Sequence, residues 1–193
     1  LVETLLKGTM KKSALLINQP MPMDKNLIQR IKTTIPDKII FLDLAADQQD
    51  DMVRKIAGLA EVLIIDHHQI HKNMNSRKIV HYNPRMEKSV YQSTSYLAYK
   101  ICSKIEDMEE WLWVAAAGMI GDYNLKDSKD VVKDIMKKYR TDEDLYKSFL
   151  GRITDMISSA NSTKTLSCEE IIRIMEKSSA ESIMKNEKLL AAY

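Results

Sequence analysis

Cysteine, glycine, proline and histidine are all scarce in this 193-residue chain, and each shortage excludes something. Cys102 and Cys168 are the two cysteines and stand far apart. They can build neither a disulfide framework nor a CxxC metal knuckle, so a reducing, cytoplasmic setting is expected. Five glycines and four prolines leave little material for long disordered linkers. No apolar run approaches the ~20 residues that cross a bilayer, and no signal peptide precedes the domain, so no membrane association is expected. Neither sign of charge dominates: 29 basic and 27 acidic residues leave a formal +2. That balance implies no strong bulk pull on nucleic acid, although a local basic groove stays open. Histidine numbers only four, and His67, His68, His71 and His81 crowd into one short region.

What is present organises around that crowding. Val62-Leu63-Ile64-Ile65 has the length and branching of a buried strand, and it runs straight into Asp66-His67-His68. The switch from apolar to acid and imidazole falls where open α/β sheets place their ligand crevice, at the strand's carboxyl end. An isolated Asp-His pair after a strand is commonly a turn. Asp-His-His is a metal-binding vocabulary, suited to Zn²⁺, Mn²⁺ or Fe²⁺ more than to Mg²⁺ alone.

Hydrophobic residues make up 45% of the chain, enough for a core, and the length suits one domain with or without a helical appendage. Leu1 to Lys7 carries a helical stripe, and residues 13–18 read as a buried strand. Asp24 offers an N-cap to a helix ending near Pro36. Lys38 to Asp43 is a second apolar run closing on an acid. Asp50 and Asp51 lead a helix through Val53, Ile56 and Leu59, then the strand Val62 to Asp66 follows. Strand, short helix and strand give a parallel βαβ unit, so Asp43 and Asp66 emerge on one sheet edge. Two acids on one rim are costly unless something positive lies between them. Residues 79–82 read as a further strand, closed by Asn83-Pro84.

From Ser89 the period becomes helical, through Ile105 and again from Trp111 to Ala116. Small residues from Ala115 to Gly121 allow close helix approach and precede Asp122. Helical patterns then cover Val131 to Tyr139, Asp142 to Ser158 and Ser167 to Ala192, with a capping box at Ser167 and Glu170. The Met-rich faces, including Met136, Met156 and Met175, read as packing. The expected architecture is α/β: a three-layer domain with a mostly parallel sheet, followed by a helical segment, divided as 1–125 and 126–193.

Asp43, Asp66, His67 and Asp122 thus stand as candidate metal ligands, with His68 adjacent. Paired divalent ions held by such a set are the usual device for displacement at phosphorus. No Ser or Cys sits in an elbow motif that would suggest nucleophilic catalysis instead.

Strand-Asp43, then Val62 to His68, Asn83-Pro84-Arg85 and Gly118-Met119-Ile120-Gly121-Asp122 together resemble the DHH phosphoesterase superfamily, most closely its archaeal RecJ-like members. The superfamily also includes nanoRNA and cyclic-dinucleotide phosphodiesterases and family II pyrophosphatases. The resemblance spans residues 13 to 160. It implies hydrolysis of phosphodiester bonds in nucleotides or short single-stranded nucleic acid by a two-metal mechanism, with Mn²⁺ or alternatively Mg²⁺. Asp43 would bridge two ions, and His67 and Asp122 would ligate one of them. His68 would contact the scissile phosphate, and Asp66 would support the site by hydrogen bonding or ligation. A homodimer or a replication or repair partner is also implied. His71 and His81 match no motif and read as ordinary loop and strand residues.

One departure stands out. The superfamily's first motif, a His and an Asp-x-Asp, has no counterpart in residues 1–37, which hold only Asp24 and Asp37 as aspartates and no histidine. The chain begins at Leu1, and the motif is expected to lie upstream, as the C-terminal substrate-gripping domain is expected to lie downstream. The alternative is a catalytically inactive DHH-fold scaffold or partner-binding subunit. A pyrophosphatase is a third reading.

Overall fold

Asp24 begins the first described helix as its position suggests. Its Oδ1 accepts the backbone N–H groups of Asn26 and Leu27 at 2.9 and 3.1 Å, which satisfies two donors that the first turn leaves open. The computed structural model describes residues 22–141 and 144–193; the expected helix at Leu1–Lys7 and strand at 13–18 lie outside the described residues. Helix α1 (Lys25–Thr34) buries Leu27 and Ile31, and ends where Ile35 turns left-handed before Pro36. Proline disfavours helical geometry in the residue before it, so the stop is local in origin.

The order then runs β1 (Lys38–Leu42), a 3-10 turn (Ala46–Gln49), α2 (Asp50–Ala57), β2 (Glu61–Ile65) and β3 (Ile79–Tyr82). The three strands form one sheet in the order β1-β2-β3, and both pairs are parallel. The mixed α/β class and the parallel sheet therefore stand as the pattern predicted. Leu42 pairs with Ile65, and Ile65 with Tyr82. The ladder continues one step past the strands: Asp43 N–H donates to the Ile65 carbonyl and Asp66 N–H to the Tyr82 carbonyl, each at 3.1 Å. Asp43, Asp66 and Asn83 thus follow their strands at the same sheet edge.

The core of this unit joins Leu27 and Ile31 of α1, Phe41 of β1, Val53 and Ile56 of α2, and Val62 and Ile64 of β2. Ile64 is fully buried, and burying such a side chain contributes about 1.5–3 kcal/mol. The apolar run that looked like a strand is therefore held by what it packs against.

The described residues fall into two compact units, 22–94 and 95–193. The second unit is built on helix packing. In it, helix α4 (Leu112–Gly121) packs on α6 (Phe149–Ser162): Thr154 Oγ1 donates to the Ala117 carbonyl at 3.2 Å. Between the sheet and α4 come a 3-10 turn (Pro84–Met86) and α3 (Thr94–Cys102); α5 (Lys129–Tyr139) lies between α4 and α6. Small residues on α4 allow the close approach they suggested. A Cβ on Gly118 would overlap the Ser95 side chain of α3.

Two helical boundaries differ from the pattern. The helix expected over 142–158 starts at Phe149, because Ser148 caps it, accepting from Leu150 N at 3.2 Å. The helix expected over 167–192 is three: α7 (Cys168–Glu176), α8 (Ala180–Ile183) and α9 (Glu187–Ala192). Ser179 and Asn186 each cap a new start within it. The Ser167/Glu170 capping box is present. Met156 is buried, consistent with packing. No described helix is long and apolar enough to cross a membrane.

Candidate metal centre

The sheet edge gathers one carboxylate and two imidazoles. Asp43, His67 and His68 each offer a ligand atom, and these atoms all lie within 4.8 Å of one another. Donors on opposite sides of one ion stand about 4.2 Å apart when each bond is near 2.1 Å. Small side-chain adjustments therefore suffice for a shared ion. A carboxylate oxygen with imidazole nitrogens suits Mn²⁺, Zn²⁺ or Fe²⁺, so these residues fit one divalent ion of that kind.

Asp43 leaves β1 with φ of 59°, in the left-handed region. Aspartate tolerates that region better than most residues, and such conformations concentrate at functional sites. Its Oδ1 lies 3.1 Å from His67 Nε2. The His67 imidazole beside Asp43 holds its carboxyl below the usual carboxylate value; partial burial opposes this, and the Thr94 hydroxyl assists. Asp43 is consequently charged in neutral solution, as a ligand must be.

The two histidines differ in environment. His67 is 5% exposed. Its ring tilts against Tyr91 with centroids 5.2 Å apart and meets His68 edge-on at 4.6 Å. His68 keeps 46% of its side chain exposed. Its Nδ1 lies 2.7 Å from Asp66 Oδ1, and its backbone N–H donates to Asp66 Oδ2 at 3.3 Å. Nε2 is then the nitrogen that His68 presents outward. Of the two roles expected for Asp66, hydrogen bonding is the one its geometry supplies: both oxygens are engaged by His68, and the residue is buried. Carboxylates placed this way fix the tautomer and aim of an imidazole.

Asp122 lies in the other unit, at the C-terminal end of α4, where its N–H donates to the Gly118 carbonyl at 3.0 Å. His71 joins the loop scaffold: its backbone N–H donates to buried Asp47 Oδ2 at 2.6 Å. His81 is a buried strand residue whose Nδ1 accepts from Met74 N at 3.4 Å.

Sequence reasoning missed three supports. Asp47 also accepts from Lys72 N at 3.0 Å and so fastens the loop that leaves the histidines. Asn83 is buried and donates from Nδ2 to the His68 carbonyl at 3.0 Å. Tyr91 packs on His67, and Arg85 lies over Tyr91 with Cζ 5.2 Å from the ring centroid. Asn83-Pro84 was a visible signal for the second; nothing in local spacing announces the others. No protein-family model matches this chain, and no curated protein matches it in sequence.

Proposed function

We propose that this chain is a metal-dependent phosphoesterase acting on nucleotides or short single-stranded nucleic acid. The observation that carries the reading is the convergence of Asp43, His67 and His68 at the carboxyl edge of a parallel sheet. Bound there, divalent ions, Mn²⁺ before Mg²⁺, would supply charge neutralisation and an activated water for attack at phosphorus.

The protein's own groups have distinct tasks. Asp43 and buried His67 hold an ion. His68 is aimed by Asp66 and exposed enough to meet substrate. With Nδ1 directed at the Asp66 carboxylate, its outward Nε2 can donate to a phosphate oxygen when the ring is protonated. Two cysteines far apart in sequence, with no disulfide framework, suit a reducing, cytoplasmic setting.

Mn²⁺-dependent hydrolysis of a short oligonucleotide by the full-length protein is the test. Asp43→Ala and His67→Ala are each expected to abolish it and to weaken Mn²⁺ binding. Undiminished hydrolysis in both variants ends this reading.

A scaffold is the alternative reading, in which the cluster of Asp43, His67 and His68 holds an ion without turning over substrate. Folded, Mn²⁺-binding protein that cleaves neither oligonucleotide nor pyrophosphate supports it. Release of phosphate from pyrophosphate alone would favour a pyrophosphatase.

A further inference from the structure

We propose that Arg85 is a phosphate-contacting residue, holding the phosphate next to the one at the Asp43/His67/His68 cluster. The proposal deepens the phosphoesterase reading and rests on it: the preferred substrate then carries at least two linked phosphates.

The backbone of Arg85 is pinned. Pro84 opens a 3-10 turn, and Asn83 Oδ1 accepts the Arg85 N–H at 3.0 Å. The same Asn83 side chain donates to the His68 carbonyl at 3.0 Å. One buried amide therefore fixes the main chain of both Arg85 and His68.

The guanidinium is pinned as well. Its Cζ lies 5.2 Å from the Tyr91 ring centroid, and that ring lies 5.2 Å from the His67 ring. His68 extends the column, edge-on to His67 at 4.6 Å. Guanidinium, phenol and two imidazoles thus form a stack that begins at a cation and ends at the candidate metal ligands. Arg85 is exposed, and among the described residues no carboxylate pairs with it.

A ring face attracts a cation without neutralising it. Arg85 consequently keeps its full charge and its planar fork of donors, with side-chain freedom already reduced before any ligand arrives. An arginine serving only surface packing would gain as much from a nearby carboxylate. Here a single ring, Tyr91, stands between it and His67, and its charge is unspent. A monophosphate at the cluster leaves that charge unused, whereas a linked second phosphate can accept the bidentate bonds that arginine forms best.

The test uses the full-length protein with Mn²⁺ and a dinucleotide joined by a phosphorothioate linkage, with and without a 5′-phosphate. Equilibrium binding of the two probes is measured by calorimetry. Wild type should prefer the 5′-phosphorylated probe by about tenfold or more, the worth of one charge-assisted contact. Arg85→Gln should lose that preference, and Arg85→Lys should keep part of it. Mn²⁺ affinity should be equal in all three, with unchanged circular dichroism. A wild type without the preference, or an Arg85→Gln variant that retains it, overturns the proposal. Parallel hydrolysis of the ordinary phosphodiester separates the two readings. Wild type that shows the Arg85-dependent preference yet never cleaves loses the phosphoesterase reading alone. Wild type that cleaves while Arg85→Gln binds both probes unchanged loses only the Arg85 assignment.

Discussion

Asp66 and His68 share a contact of 2.7 Å between Oδ1 and Nδ1, with the carboxylate buried and the imidazole nearly half exposed. The polar pair is thus anchored at one end and open at the other. In the proposed mechanism Asp66 would aim the imidazole and His68 would meet substrate.

Asp66→Asn preserves the shape of that anchor and removes its charge. Hydrolysis should fall about 10–100-fold, as is usual when the partner of a site histidine is altered. Because Asp43 and His67 keep the ion, Mn²⁺ affinity should move far less. Steady-state kinetics beside a Mn²⁺ titration separates the two effects. Unchanged turnover would mean that the carboxylate serves only the fold.

Asn83 is the second fixed point. Asn83→Ala removes the donor to the His68 carbonyl and the acceptor for Arg85 N–H in a buried position. Leaving buried polar groups unmatched costs about 1–3 kcal/mol. Urea unfolding should register that loss.

His81 makes a pH prediction. Burial pushes its pKa below the ordinary 6.5, against the raising influence of Asp47 and Asp66. The neutral ring is favoured in the fold: Nδ1 accepts from Met74 N, and buried Nε2 meets no hydrogen-bond partner among the described residues. Below about pH 6.5 the unfolded chain takes up a proton that the folded chain resists. The contribution is therefore present above that pH and is lost as pH falls toward the folded value. Urea midpoints from pH 7.5 down to 5.5 should decline, and His81→Gln should decline less. Parallel curves for the two proteins would contradict the assignment.

How much of this was legible depends on range. Lys38–Leu42 and Glu61–Ile65 announced themselves, because β-branched runs bounded by polar residues have few other homes. Once both are parallel, register alone puts Asp43 and Asp66 at one edge, and the sequence sufficed for that step. It could not reveal that Asp43 turns left-handed, since aspartate permits that conformation without demanding it. Nor could it join Tyr91 to His67, or Asp47 to the His71–Lys72 turn. Those partners lie about 24 residues apart, and tertiary packing chooses them. The break of residues 168–192 into three helices followed from Ser179 and Asn186, whose capping competes locally with a continuing apolar stripe.

The ladder that outlasts its strands has a further consequence. Asp43 and Asp66 are clipped to carbonyls of the neighbouring strand, so the spacing of the candidate ligand Asp43 and of the carboxylate that aims His68 is inherited from the sheet. Geometry at the rim is thus set from the interior: trimming Ile64, a fully buried residue of β2, should loosen the grip on a cation before it unravels the protein.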